Sequence, residues 1–149
     1  MTEQEQMEQA RRCAQSLFQR DRASNELGMR LLSVAPGMAR LGMSVRPEML
    51  QGHGTCHGGF IFSLADSAFA VACNSYDQAC VAMGCNIEYI APAHLGDTLT
   101  ADCHEQSRRG RTGHYSVRIE NQQGQLIALF QGKSYKVRGQ VLTPETPHE

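Results

Sequence analysis

Residues 60–74, which read FIFSLADSAFAVACN, form the most restrictive segment of this 149-residue chain because they are apolar almost throughout. Phe62 and Phe69 stand seven residues apart, and Leu64 with several alanines fills the remaining positions, so a helix here is apolar on every face. Such a helix has to be buried on all sides. It is too short to cross a bilayer, which takes about 20 apolar residues. The rest of the chain is therefore expected to wrap around it.

Strand-like segments precede and follow this apolar helix. Before it, two short apolar runs within residues 27–46 are separated by Ala35-Pro36-Gly37, which predicts a β-hairpin. After it, strand-like runs at residues 80–90, 98–106, 114–121 and 126–137 are separated by turn-forming sequences that include RRGRTG at 108–113. A curved antiparallel sheet wrapped around one long central helix satisfies this order, since the sheet offers one apolar face to the helix. The predicted fold class is α+β.

The two ends of the chain complete the predicted organisation. Met7, Ala10, Ala14 and Leu17 recur at helical intervals, which predicts an amphipathic helix within residues 1–26. Residues 142–149 contain two prolines and are expected to form a flexible tail. The length fits one domain over residues 1–149.

Composition argues against several classes of protein. The 14 basic and 15 acidic residues give a formal net charge of −1, so no global field attracts a nucleic acid or an anionic membrane surface. The N-terminus lacks the apolar stretch of a signal peptide, which predicts a cytoplasmic location. In that compartment we expect the six cysteines to be reduced and mostly buried.

The sequence His57-Gly58-Gly59 stands where the apolar helix is expected to begin. Glycines let a ligand approach the backbone, and the first N–H groups of a helix have no partner within the helix. Such a helix start suits the oxyanion that develops on a carbonyl under attack, with the Gly58 N–H as donor. Taken alone, this motif is equally typical of a helix start built only for packing.

Asp66 is the carboxylate of the apolar helix. A carboxylate in such surroundings is costly unless it is hydrogen-bonded or functional. The alternatives to a functional role are that it reaches solvent through a gap or bonds the hydroxyls of Ser63 or Ser67. Asp66 lies eight residues after Gly58, or about 12 Å along a helix axis. A twofold dimer can place Asp66 of one chain opposite Gly58 of the other, which predicts a site shared between subunits.

The chain resembles the hotdog-fold acyl-CoA thioesterases of the phenylacetate-degradation type, and the resemblance runs from about residue 27 to 137. The segments that carry it are HGGFIFSLADSAFAVACNS, NIEYIAPAHLGDTL and LFQGKSYKV. The resemblance implies that Gly58 polarises a thioester carbonyl, that Asp66 is the nucleophile or general base, and that His57 orders the helix start. It further implies dimers that assemble into homotetramers, and substrates such as phenylacetyl-CoA or hydroxyphenylacetyl-CoA. Gln51 stands where members of the family often carry an Asn near the attacking water. Its amide offers the same groups one methylene further out, so Gln51 is also predicted as a catalytic residue.

Substrate-binding residues are predicted less directly. Arginine forks suit the phosphates of coenzyme A, although a solvated hairpin tip is an equally ordinary place for them. Phe60, Phe62 and Tyr89 either line an aryl pocket or belong to the core. The substrate-binding residues that we predict are Gly59, His53, Arg108, Arg109 and Arg111. His53, Cys56 and His57 form a poor zinc signature, so neither a metal nor a cofactor is predicted.

Two other functions compete with thioester hydrolysis. A 3-hydroxyacyl thioester dehydratase on the same fold would use His53 and Asp66 for proton transfer. A non-catalytic acyl-CoA-binding module, such as a ligand-sensing regulator on this fold, would need a DNA-binding segment, and the short, acidic N-terminal helix does not suit DNA.

Overall fold

The apolar segment forms helix α3, Gly58–Cys73, at the centre of the computed structural model, which describes residues 1–142. Eight of its residues are buried, but the predicted burial on all sides is incomplete in one chain, because Phe62, Asp66 and Ala70 along one face are only half-buried. No helix in this part of the chain combines the length and hydropathy needed to span a membrane. Of the tail predicted for residues 142–149, positions 143–149 lie outside the described residues.

One six-stranded antiparallel sheet packs around α3. Its strands are β1 (Arg30–Ala35), β2 (Met38–Ser44), β3 (Cys80–Tyr89), β4 (Thr98–Arg109), β5 (Thr112–Glu120) and β6 (Leu126–Lys136). Their order across the sheet is β1-β2-β4-β5-β6-β3, so β1 and β3 are the edges. The predicted α+β arrangement of an antiparallel sheet around a central helix is confirmed.

The core lies between α3 and the inner face of the sheet. Along β4, Leu99, Ala101 and Cys103 are fully buried while the residues between them face outward. The Phe69 ring of α3 packs 5.5 Å from the ring of Tyr115 on β5. Burying a side chain of this size contributes about 1.5–3 kcal/mol, so these contacts fix α3 firmly on the sheet.

The N-terminal segment contains two helices where the sequence predicts one over residues 1–26. Helix α1, Glu3–Arg20, ends at Asp21, and helix α2, Arg22–Glu26, begins there. The Asp21 carboxylate accepts the Ser24 N–H at 2.9 Å and so serves as the N-cap of α2. The prediction of a single helix was wrong because one residue ends one helix and starts the next.

The hairpin between β4 and β5 is tighter than predicted. Arg108 and Arg109 belong to β4, and Arg109 pairs directly with Thr112. Only Gly110 and Arg111 form the turn, with Gly110 at a φ of 61°. A two-residue hairpin turn requires such positive φ values, which glycine adopts without strain. Two of the three arginines therefore lie on a strand and not in a loop.

The thiols follow the prediction in most positions. All six cysteines are free, and four of them are buried. Cys80 is half-buried and Cys85 is exposed, and both belong to β3. Both exceptions thus lie on one of the two edge strands of the sheet.

Strand β3 presents apolar side chains to solvent. Val81 is 50% exposed, Met83 58% and Tyr89 52%. An edge strand of ten residues with free N–H and C=O groups and apolar side chains is a template for pairing with another strand. This edge is the surface of the molecule best prepared for contact with a second chain.

Candidate active site

His57 is the N-cap of α3. Its backbone is extended, with φ −61° and ψ 132°, and its Nδ1 accepts the Gly59 N–H at 2.9 Å. The ring also packs edge-on against Phe60, with the two ring centroids 6.0 Å apart. The side chain therefore satisfies one of the N–H groups at the helix start and leaves its neighbours available.

Gly58 is the first residue of α3, and no group within residues 1–142 accepts a hydrogen bond from its N–H. The Tyr89 hydroxyl donates to the Gly58 carbonyl oxygen at 2.9 Å. A Cβ placed on Gly58 would lie 2.9 Å from Cζ and Oη of the same tyrosine, closer than carbon atoms pack. A side chain at this position would therefore have to displace the Tyr89 phenol, and the free N–H is available to a ligand.

A pocket of about 400 Å³ opens beside this helix start. Most of its wall is apolar, and it is open to solvent on one side. Its lining residues are Thr55, Cys56, Gly58, Ile61, Tyr89, Ile90, Ala91 and Pro92. A predominantly apolar pocket with a free backbone donor has the usual composition of a small-molecule site.

Asp66 lies two turns further along α3 and is half-buried. No group within residues 1–142 donates a hydrogen bond to its carboxylate. The Ser63 hydroxyl donates to the Gly59 carbonyl at 2.8 Å, and the Ser67 hydroxyl is bonded to that of Ser24 at 2.7 Å. The alternative in which either serine satisfies Asp66 is therefore wrong.

The environment of Asp66 disfavours its charged form. Burial raises the pKa of its carboxyl above the ordinary value, and the negative charge of Asp21 raises the pKa further. Burial and the charge of Asp66 likewise raise the pKa of the Cys85 thiol on β3. Asp66 is thus a partly desolvated carboxylate near the exposed strand β3. A raised pKa suits a general base.

Gly58 and Asp66 are not positioned for one carbonyl within a single chain. Both belong to α3, and eight residues of helix separate them by about 12 Å along the axis. A thioester carbonyl bound to the Gly58 N–H is therefore out of reach of the Asp66 carboxylate of the same chain.

Gln51 and His53 belong to a tight turn ahead of α3. The Gln51 side-chain amide donates to the Thr55 hydroxyl at 2.7 Å, and its oxygen accepts the His53 N–H. His53 itself is exposed at the tip of the turn. The amide of Gln51 closes this turn here, and its predicted place near an attacking water stays a prediction.

The arginines lie at the other end of the sheet from Gly58. The turn that holds Arg111 adjoins the first residue of β3, whereas Gly58 contacts the last, about 30 Å away along the strand. Arg108 stacks over the Tyr76 ring at 3.7 Å, and Arg111 donates to the Tyr135 hydroxyl at 3.5 Å. Within one chain, the arginines predicted to bind coenzyme A therefore lie far from Gly58.

Sequence reasoning left open whether three aromatic residues line a pocket or belong to the core, and the structure divides them. Phe60 and Phe62 are half-buried and pack against the core, Phe62 with its ring centroid 5.3 Å from that of Phe130. Tyr89 lines the pocket. Its contact with Gly58 was missed, because 31 residues separate the two and no local pattern signals the contact.

Comparison with known proteins identifies the family. The thioesterase superfamily model matches residues 53–128. The chain is 43% identical over 128 residues to the acyl-coenzyme A thioesterase PaaI of Escherichia coli strain K12, covering 86% of this chain and 91% of that protein. The solved structure of the E. coli PaaI protein from the phenylacetic acid degradation operon superposes with a TM-score of 0.89 at 42% identity, covering 90% of this chain and 97% of that one.

A related structure contains a ligand. The structure of smu.793 from Streptococcus mutans UA159 bound to acetyl CoA matches with a TM-score of 0.72 at 26% identity, over 75% of this chain and 90% of that one. The family model, the identity and the superposition agree with the resemblance in the sequence. The chain therefore belongs to the thioesterase superfamily, and its sheet wrapped around a central helix is a hotdog fold.

Proposed function

We propose that this protein is an acyl-CoA thioesterase whose reaction centre combines Gly58 of one subunit with Asp66 of a second copy. The observation that carries the proposal is the pairing of a free helix-start N–H with an unpartnered, half-buried carboxylate on the same helix. Similarity to the E. coli enzyme supports acyl-CoA as the substrate class.

In the proposed reaction, the thioester carbonyl accepts a hydrogen bond from the Gly58 N–H. Asp66 of the partner subunit takes a proton from a water molecule whose oxygen attacks the carbonyl carbon. The C–S bond breaks, the free acid is released, and the proton passes to the thiolate of coenzyme A. An N–H donor at a developing oxyanion contributes about 2.7–4 kcal/mol, so both groups are expected to be essential. Direct attack by Asp66 is the alternative route, with water hydrolysing the resulting anhydride.

The exposed edge of β3 supports the assembly that this reaction needs. Two copies that pair antiparallel along β3 extend the sheet and remove two exposed edges. The charge of Asp66 acts on Cys85 of this strand, so the carboxylate lies near the proposed interface. A further assembly into a homotetramer is implied by the family resemblance.

Antiparallel pairing also offers a place for the coenzyme A phosphates. It brings the Cys80 end of one β3 beside the Tyr89 end of the other, because the strands run in opposite directions. The hairpin with Arg109 and Arg111 of one subunit then approaches the pocket of its partner. Guanidinium groups bind phosphates bidentately, so these side chains are the proposed phosphate contacts.

The apolar pocket supports an aryl or other apolar acyl group as substrate. The solved E. coli PaaI protein comes from the phenylacetic acid degradation operon, so phenylacetyl-CoA and hydroxyphenylacetyl-CoA are the first candidate substrates. A cytoplasmic location is part of this proposal.

A panel of acyl-CoA esters assayed by release of free thiol tests the proposal. Gly58→Pro removes the N–H, and the extended backbone of His57 accepts a following proline. Gly58→Ala is the matched control, since it adds a Cβ at the same place and keeps the N–H. We expect the proline variant to be at least tenfold slower than the alanine variant. Equal rates of the two variants, or no thiol release by the wild-type protein, would contradict the proposal.

A further inference from the structure

We propose that Tyr89 is a positioning residue that fixes the direction of the Gly58 N–H. The inference rests on the proposed function, because it assigns a role within the same site. Tyr89 contacts Gly58 at its carbonyl oxygen and not at the N–H donor, and so acts through the backbone of Gly58.

The first observation is that the peptide unit after Gly58 is fixed at both of its polar atoms. Its carbonyl oxygen accepts the Tyr89 hydroxyl at 2.9 Å, and its N–H, which belongs to Gly59, donates to His57 Nδ1 at 2.9 Å. A peptide unit held at both polar atoms cannot rotate about its flanking bonds without breaking a hydrogen bond. The glycine pair is otherwise the most mobile backbone of the helix start. The Gly58 N–H belongs to the preceding peptide unit, whose His57 carbonyl accepts the Phe60 N–H at 3.0 Å. With the peptide units on both sides of the Gly58 Cα held, the Gly58 N–H keeps one direction.

The second observation is the contact of the ring with Gly58. A Cβ on this glycine would meet Cζ and Oη of Tyr89 at 2.9 Å. The phenol thus occupies the space on one side of the Gly58 Cα. It leaves the backbone no room to move toward the strand.

The third observation is the anchoring of Tyr89 itself. Tyr89 pairs with Ala128 of β6, and the next two N–H groups, of Ile90 and Ala91, both donate to the Ile127 carbonyl, at 2.8 and 3.2 Å. The tyrosine is therefore held by the sheet and is not part of a loose loop. Its side chain is 52% exposed, so the hydroxyl has water as a competing partner and yet is directed at Gly58.

This arrangement connects the edge strand to the reaction centre. Tyr89 is the last residue of β3, the strand proposed to pair with a second copy. The donor and the interface are linked through one hydroxyl group.

Tyr89→Phe tests the inference because it removes the hydroxyl and keeps the ring. We expect kcat to fall about three- to tenfold, the effect of one hydrogen bond, with little change in KM, since the ring that lines the pocket is kept. Tyr76→Phe is the matched control. It removes a hydroxyl that lies away from the site and donates to the Glu105 carboxylate at 3.0 Å. This change is expected to lower thermal stability and leave kcat unchanged.

A double-mutant cycle gives a second readout. If Gly58→Ala acts by displacing the phenol, then Gly58→Ala combined with Tyr89→Ala is expected to be no slower than Tyr89→Ala alone. Additive losses in the cycle, or a Tyr89→Phe enzyme with wild-type kcat, would overturn the positioning role. Absence of thiol release by the wild-type enzyme would instead overturn the proposed function, so the two failures are distinguishable.

Discussion

Replacement of Asp66 by Asn is expected to lower activity and raise stability at the same time. The change keeps the shape of the side chain and removes its charge and its basicity. As a general base Asp66 is worth about 10²- to 10⁴-fold in kcat, so thiol release is expected to fall by at least a hundredfold. A residue kept only for packing or solubility would not combine these two effects.

The gain in stability follows from the surroundings of the carboxylate. Nothing within residues 1–142 donates a hydrogen bond to it, and both burial and Asp21 disfavour its charge. Breaking a fully buried ion pair costs about 3–5 kcal/mol, and a half-buried group that water still reaches carries only part of that penalty. We therefore expect Asp66→Asn to increase the free energy of unfolding by about 1 kcal/mol at neutral pH. For a chain of this size, that corresponds to about 2–4 °C in Tm.

The sign of the pH dependence follows from the raised pKa of Asp66. The folded protein holds the proton more tightly than the unfolded chain, so the wild type loses stability as the pH rises from the ordinary carboxyl pKa to the raised one. The advantage of Asp66→Asn is therefore complete above the raised pKa and absent below the ordinary one.

Thermal unfolding of both proteins across the acid to neutral range measures this difference, and thiol release measures the activity. A lower Tm for the variant at neutral pH would refute the reasoning, because it would mean that the carboxylate is satisfied in the folded protein. Near-normal turnover would refute the catalytic role.

Three further predictions concern the surroundings of the site. Asp21→Asn removes a charge and keeps a residue suited to cap α2, so the acid limb of the kcat–pH profile is expected to shift to lower pH. An unshifted limb would exclude Asp21 as a determinant of the Asp66 pKa. Gly132→Ala places a Cβ 2.8 Å from the Phe69 ring and is expected to cost about 1–3 kcal/mol in urea unfolding, whereas Gly52→Ala meets nothing within 4 Å and is expected to be neutral. Met83→Lys adds a charge to the exposed β3 edge and is expected to give a folded monomer without thioesterase activity. Sedimentation measures the oligomeric state and thiol release the activity, and an active monomer would contradict the shared site.

Most elements of the fold were predictable because their signals are local. The hydrophobic pattern of residues 60–74 and the turn sequences between strands each depend on a few neighbouring residues, and all six strands form where they were expected. The break at Asp21 was missed because periodicity continues across it and the cap depends on a hydrogen bond to Ser24. Arg108 and Arg109 were assigned to a loop because the sequence does not reveal that the turn has only two residues.

The site was predictable in its residue types and not in its connections. A glycine motif and a carboxylate on an apolar helix stand out in the sequence because both are costly without a reason. Tyr89 does not stand out, since an aromatic residue at the end of a strand is ordinary. Its contact with Gly58 depends on β3 lying beside β6 at the edge of the sheet, out of chain order. Such information lies in the topology and not in any local pattern.

Mixing two inactive variants tests the shared reaction centre most directly. Gly58→Pro lacks the donor and Asp66→Asn lacks the base, so a dimer of one chain of each contains one intact site and one site without either group. After co-refolding at equal amounts, random pairing makes half of the dimers mixed, and we expect recovery of about a quarter of wild-type thiol release. No recovery, in a sample shown by mass spectrometry to contain mixed dimers, would contradict the account and place both groups within one chain.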